Sequence, residues 1–296
     1  MRVSIISALH NNLACTQEML RSLLATIDRA PDVEVLLIDD ASTDGSAEWL
    51  RQLREPRVRP LFCATNVGFG AANNRAAREA RGDVLVLVNN DVVLQPGWLE
   101  PMLDGLTHCA TPGLIGNLQY AVASGELDHR GVKMDLLRRP YHDRTPRPRH
   151  ARRDYSRYPA VTAACCAIRR QTFLDAGGFD EVYRNGYEDV DLCLRLGQRG
   201  FRHYVANRSA VQHHVSISPG RFARESANLS LFLSRWGWPP PGPPYRLRGL
   251  NYVTRHWRRP WRYNGSKLIL GLAWLLTGRP CAALEKKLRV EIKLVP

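Results

Sequence analysis

Glu188, Asp189 and Asp191 put three carboxylates within four residues, at the head of an apolar, helix-like run that continues Leu192-Cys193-Leu194-Arg195. Acids at the start of a helix are stabilised by its unpaired N–H groups. Such a cluster serves a cation, a dipole or a proton transfer, or it only caps the helix. Ahead of it lies a Gly-rich turn rimmed with acids, Asp175-Ala176-Gly177-Gly178-Phe179-Asp180-Glu181, and behind it His213 and His214 follow a short apolar stretch. Carboxylates and imidazoles converging from separate elements are the donor set of a metal or general-base site. Two further polar groups stand at the ends of apolar runs: Asp39-Asp40 and Asn89-Asn90-Asp91.

The elements that must position these residues alternate. Residues 3–7, 33–38, 58–63 and 83–88 are apolar and read as buried strands. Residues 14–30, 46–53 and 70–80 carry helical spacing, with Met19, Leu20, Leu23, Leu24 and Ile27 on one face of the first. Alternation of this kind implies a parallel sheet with crossover helices, whose ligands bind beyond the carboxyl ends of the strands. That edge is polar and acidic here. Asp44 suits its own Asx-type turn before the second helix. The Gly68/Gly70 turn opens the third helix and reads either as a phosphate cradle or as a plain tight turn.

The second half is less regular. Residues 101–112 predict a helix, and 114–122 and 132–137 predict strands. Residues 138–158 hold eight Arg and three Pro, which predicts a mobile, solvated loop. A strand over 161–169, a helical turn over 171–176 and a helix over 189–199 follow. Then come short strands over 201–206 and 210–213 and a helix over 222–236 that ends the compact domain. Residues 239–244, almost all Pro, predict a stiff linker.

In order along the chain stand Val3–Ile6 leading to Asn11-Asn12, LLIDDASTDGS (36–46), NVGFGAANN (66–74), LVNNDV (87–92), Thr162–Arg195 with its GGFDE and EDVDLCLR, and HHVSISPG (213–220). This series resembles the family 2 glycosyltransferases of the GT-A fold, most closely the bacterial rhamnosyltransferase-like branch, over roughly residues 1–236. The resemblance implies an α/β, Rossmann-like fold with a mixed, mostly parallel central sheet flanked by helices. It implies Asp189 as catalytic base of an inverting displacement, with Glu188 and Asp191 on the acceptor side. Ser7, Asp39, Asn73, Asn90 and Asp91 would bind the nucleotide sugar, dTDP-rhamnose or a UDP-hexose. Asp91 and His213 would hold Mn²⁺ or Mg²⁺, with Ser216 and Ser218 completing the His motif. The Asn pair before Asp91 departs from an Asp-x-Asp motif. The implied acceptor is a saccharide, carried on a lipid, in cell-surface polysaccharide synthesis.

Composition sets the remaining bounds. A chain of 296 residues with 44% hydrophobic content can bury a sizeable core. No apolar run reaches the ~18 residues of a membrane span, and the start carries no signal-peptide pattern. Seven cysteines without metal or disulfide spacing suggest reduced thiols in a cytosol, and Cys165-Cys166 read as core. The net charge is +14, of which +10 falls after Gly237. Residues 237–296 thus form a basic, Trp-containing appendage. Its apolar stretch 267–276, with Arg258, Arg259, Arg262, Lys286, Lys287 and Arg289 around it, suits an anionic membrane interface or a packed helix. The enzyme is therefore expected at the inner face of the cytoplasmic membrane, with no nucleic-acid partner. A basic nucleic-acid-binding protein would explain the tail but not the ordered acidic motifs, and steep salt dependence of binding would identify it. A catalytically dead sugar-nucleotide module would leave Asp91, Asp189 and His213 without a task, and product formation would exclude it.

Overall fold

The computed structural model describes residues 1–27, 32–135, 138–145, 153–214, 224–237, 245–257 and 265–291. They fall into two compact units, Met1–Lys133 with Pro140–Phe232, and Met134–Arg139 with Leu233–Pro296.

In the first unit β1 (Val3–Leu9), β2 (Val33–Asp39), β3 (Val58–Phe62) and β4 (Val84–Val88) pair in parallel in the order β3-β2-β1-β4. The helices α1 (Leu13–Thr26), α2 (Ser46–Gln52) and α3 (Phe69–Glu79) connect them. Strands covered on both faces need no polar alternation, which is why β4 is Val-Leu-Val-Leu-Val and buried throughout. β1 has β2 on one side and β4 on the other. The crevice at such a switch in strand order is where open α/β sheets take ligands.

Beyond β4 come β5 (Val92–Leu94), α4 (Glu100–His108), β6 (Pro112–Ala121), β7 (Leu127–His129), β8 (Val132–Met134), β9 (Pro140–His142) and β10 (Tyr155–Tyr158). They are followed by β11 (Cys165–Arg169), α5 (Arg170–Asp175), α6 (Glu188–Gln198), β12 (Arg202–His213) and α7 (Glu225–Trp236). β11 lies antiparallel between β4 and β6, and β12 runs parallel to β6, so the central sheet is mixed and flanked by helices.

Three of the differences from the sequence reading concern whole stretches of the chain. The Arg-rich stretch 138–158 is not a loop throughout: β9 and β10 lie within it, β10 paired antiparallel to Tyr204 and its neighbours on β12, while 146–152 fall outside the described residues. The two short strands over 201–213 are one strand, with Asn207-Arg208-Ser209 absorbed in a register shift between Val205 and Ala210. The first helix ends at Thr26, and residues 28–31 lie outside the description.

β12 is tied to α6 through His203, which is buried. Its Nδ1 accepts from the Leu114 N–H at 3.1 Å and its Nε2 meets the Cys193 carbonyl at 2.8 Å, so the ring is neutral with its proton on Nε2. Gly113 permits the approach, since a methyl there would come within 2.7 Å of the ring. Burial pushes the imidazole down from 6.5 to about 4. The unfolded chain therefore binds a proton that the folded chain refuses, and stability is lost as pH falls from 6.5 towards 4. The unfolding free energy of the wild type should drop over that range by about 3 kcal/mol more than that of His203→Gln. Denaturant titrations of both proteins at each pH check this.

The second unit contains α8 (Tyr245–Trp257), α9 (Gly265–Thr277) and α10 (Ala282–Glu291). Leu270, Trp274 and Leu288 form its core, with Tyr245, Cys281 and Leu284 packed against them. The Trp274 indole N–H donates to Glu285 at 3.2 Å. Asp135 accepts from the Arg139 guanidinium at 2.8 Å and pairs with Lys267 at 3.4 Å. The linker 239–244 and Arg258, Arg259, Trp261 and Arg262 lie outside the described residues, as do the side chains of Lys286, Lys287 and Arg289.

Candidate active site

A cavity of about 620 Å³ opens in the first unit beyond the carboxyl ends of β1 and β4. One corner joins residues far apart in the sequence. Asn89, Asn90 and Asp91 turn β4 into β5, with the Val92 N–H donating back to the Asn89 carbonyl at 3.3 Å. The Asn90 amide fastens this turn to the first helix by donating to Thr16 Oγ1 at 3.0 Å. β5 then pairs antiparallel with the end of β12, bringing His213 opposite Val92. The result is His213 Nε2 at 3.1 Å from Asp91 Oδ1, with the two residues only 4% and 6% exposed. His213 Nδ1 is buried without a partner among the described residues.

The opposite wall is the start of α6. Asn185, Gly186 and Tyr187 all have positive φ, at 56°, 143° and 76°. Left-handed backbone is unfavourable for Asn and more so for Tyr, and such strain persists only where the surroundings enforce it. Here α7 enforces it. Asn228, buried, takes the Arg184 N–H at 3.5 Å and donates to the Arg184 carbonyl at 2.8 Å. The Tyr187 ring packs on Phe232 with centroids 5.5 Å apart. Asn185 accepts from the Phe69 N–H at 3.3 Å, and Glu188 accepts from the Gly186 N–H at 2.6 Å. The chain so bent presents Asp189 to the cavity half-buried. Its Oδ2 accepts from the Ala163 N–H at 3.1 Å and its Oδ1 from the Val190 N–H at 2.7 Å. Each oxygen keeps capacity for a further hydrogen bond.

Of the residues singled out from the sequence, Asn90, Asp91, Glu188, Asp189 and His213 line this one cavity. Ser7, Asp39, Asn73 and Asp191 lie outside its lining. Ser7 is buried with its hydroxyl unpartnered among the described residues, and Asp39 accepts from the Ser42 N–H at 3.3 Å, the turn-capping role. Asn73 donates to the Phe69 carbonyl at 2.9 Å within its own helix. Asp191 is buried against Arg195 at 2.7 Å, and that guanidinium also reaches the Gly178 carbonyl, tying α6 to the Gly-rich turn. Ser216 and Ser218 fall outside the described residues.

Other lining residues were not anticipated. Asp40, rather than Asp39, faces the cavity. Its two oxygens accept from the Val67 and Gly68 N–H groups at 2.7 and 2.8 Å and so fix the Asn66–Gly68 turn, where Gly68 has φ of 90°. From the stretch read as a loop come His142 and Arg144, the latter paired with Asp128 at 2.7 Å. The edge of His142 meets His129 at 4.5 Å between centroids. His129 is fully enclosed, both ring nitrogens lack a partner among the described residues, and burial with the nearby His142 and His213 pushes its imidazole well below the usual range. Asp143 below them is opposed by burial, but Lys133 and hydrogen bonds from Tyr158 and Thr145 prevail and hold it at about 2.

The donor chemistry fits a hard divalent cation. Octahedral ligands at 2.0–2.1 Å from Mg²⁺ sit about 3 Å apart along an edge, close to the 3.1 Å between Asp91 Oδ1 and His213 Nε2. Among the described residues no cluster of three or more His, Cys, Asp and Glu side chains could hold a metal ion. A cation held by one or two protein groups is completed by substrate phosphates and water.

Comparison with known proteins agrees with this geometry. Residues 4–176 match the family described as glycosyl transferase family 2. An N-acetylglucosaminyl-diphospho-decaprenol L-rhamnosyltransferase of Mycobacterium tuberculosis is 32% identical over 270 residues, covering 80% of this chain and 87% of that protein. The O-antigen biosynthesis protein RfbC of Myxococcus xanthus is 31% identical over 82% of this chain, which spans only 20% of that longer protein. The crystal structure of GalNAc-T7 with UDP, GalNAc and Mn²⁺ superposes with a TM-score of 0.62 at 19% identity, over 72% of this chain and 44% of that one, and shows the shared GT-A fold. With the family matched over more than half its length and a relative spanning most of both chains, the protein belongs to glycosyl transferase family 2, on its rhamnosyltransferase-like branch.

Proposed function

We propose that the protein is an inverting, metal-dependent glycosyltransferase that moves a sugar from dTDP-rhamnose or a UDP-hexose to a hydroxyl of a lipid-linked saccharide. It would do so in bacterial cell-surface polysaccharide synthesis, at the inner face of the cytoplasmic membrane. One observation carries the reading. Asp189 and the Asp91–His213 pair, from the start of α6, the end of β4 and the end of β12, face one cavity of a size usual for small-molecule sites, roughly 300–1,000 Å³.

The proposed roles combine the family resemblance with these placements. Asp189, braced by two backbone N–H groups, takes the proton of the acceptor hydroxyl as its oxygen bonds to the anomeric carbon. The bond from that carbon to the diphosphate oxygen breaks, and its electron pair leaves with the nucleoside diphosphate. Glu188 and the left-handed loop before it shape the acceptor side. Asp40 holds the Asn66–Gly68 turn at the nucleotide side. Asp91 and His213 would hold Mn²⁺ or Mg²⁺, which when bound offsets the charge of the diphosphate. The rhamnose preference is supported by the activity of the mycobacterial relative, and so is the lipid diphosphate acceptor.

Nucleoside diphosphate release from dTDP-rhamnose, UDP-hexoses and GDP-mannose, with Mn²⁺ and a lipid-diphosphate-linked saccharide, tests the reading. Release with a dTDP- or UDP-sugar that depends on acceptor is the expected result. Release with none of them overturns it.

A further inference from the structure

The second unit carries an apolar surface that its own core does not use. α9 is apolar on two sides. Leu270 and Trp274 face inward and are buried, while Ile269, Leu272 and Leu276, at i, i+3 and i+7, are 56%, 39% and 76% exposed. On α8, Leu247 and Leu250 are 49% and 42% exposed, again at helical spacing. The two helices run antiparallel. Tyr245 at the start of α8 packs on Trp274, Arg246 lies beside Gly278, and Tyr252 lies against Gly271. Gly249 makes the crossing close, since a methyl there would collide with the Gly271 carbonyl. The exposed leucines of α8 therefore stand at the same levels as those of α9.

An exposed apolar stripe beside a buried one marks a further contact surface. At 13 residues and ~1.5 Å per residue, α9 is about 20 Å long, short of the ~30 Å hydrocarbon core. No described helix is long and apolar enough to cross a membrane. Charge chooses among the remaining occupants. Residues 238–296 carry a net +10, and the exposed Arg246 and Arg279 stand at the Leu276 end of the stripe. A second copy would set like charge against like charge. An anionic bilayer surface offers the opposite charge and an apolar layer beneath it.

We propose that the α8–α9 pair docks on an anionic lipid surface. α9 lies in the plane of the interface with Ile269, Leu272 and Leu276 in the acyl boundary and Arg246 and Arg279 among the headgroups. Such docking gains its purpose from the lipid-linked acceptor proposed above and rests on that reading. Binding is read without donor or acceptor, so each can fail alone.

The test is co-sedimentation of the full chain with vesicles of phosphatidylcholine alone or mixed with phosphatidylglycerol, alongside light scattering for oligomeric state. Wild type should partition onto the mixed vesicles about tenfold better than onto the neutral ones and lose this with added salt. Ile269→Asp with Leu276→Asp should reduce binding by a further factor of about ten, while its melting temperature stays at the wild-type value because both side chains are exposed. Arg246→Gln with Arg279→Gln should weaken the preference for the anionic lipid severalfold. Equal sedimentation of the Asp variant and wild type, or indifference to phosphatidylglycerol, overturns the proposal. So does a wild-type dimer that the Asp variant breaks, which would assign the surface to a second copy.

Discussion

Asp189→Asn should lower kcat by about 10²–10⁴-fold, the usual contribution of a positioned general base, while donor affinity stays within a factor of two or so of wild type. Asn has the shape of Asp but no basicity at neutral pH. Its carbonyl can still accept one of the two N–H groups that Asp189 holds, from Ala163 and Val190. The other bond is lost at a cost of about 1 kcal/mol, so the melting temperature should fall by a few degrees at most. Turnover, donor binding by calorimetry and thermal unfolding together separate loss of the base from loss of the fold. Unchanged turnover in a folded variant would move the base to another carboxylate, with Glu188 the nearest on the same turn.

Asp91→Ala should abolish metal-dependent nucleotide binding. In the wild type, Mn²⁺ with UDP or dTDP at ~100 times Kd adds about 2.7 kcal/mol to stability, several degrees in melting temperature for a chain this size. The variant keeps the β5–β12 pairing, because the backbone carbonyl of residue 91 still accepts from the His214 N–H at 2.9 Å. What it loses is one of two donors and the partner of His213. A lone buried imidazole cannot hold a hard cation against water. Thermal unfolding of both proteins, with and without Mn²⁺, checks this. A shift that survives in the variant would place the nucleotide's cation elsewhere in the cavity.

Much of this site is written locally, and the rest is not, for reasons that can be traced residue by residue. The order of strands, helices and polar strand ends is a local signal, so the parallel half and the position of Asp91 are readable. Which of Asp39 and Asp40 faces the ligand edge is not. Neighbours on a strand point to opposite faces, and a strand buried on both faces gives no polarity to tell them apart. β5 has three residues, too few to show a period, yet its pairing with β12 helps set His213 beside Asp91. The stretch 138–158 looks solvated by composition. β10 exists because β12 pairs with it, and a partner some fifty residues away leaves no local mark. Asn228 reads as one polar residue on a closing helix. Only Arg184, bound through both backbone groups, shows it as the brace of the Asp189 loop.

The union of Asp91 with His213 also fixes an order of events in synthesis. The two residues are 122 apart in sequence, and the brace at Asn228 comes later still. Domains emerge from the ribosome N-terminus first, so the β1–β4 half and its nucleotide edge can pair early, from contacts of modest separation. The cation corner and the catalytic loop must wait for β12 and α7. An incomplete chain could thus expose a nucleotide-sized crevice but hold no assembled machinery to act on an activated sugar until the last turn of the first unit is in place.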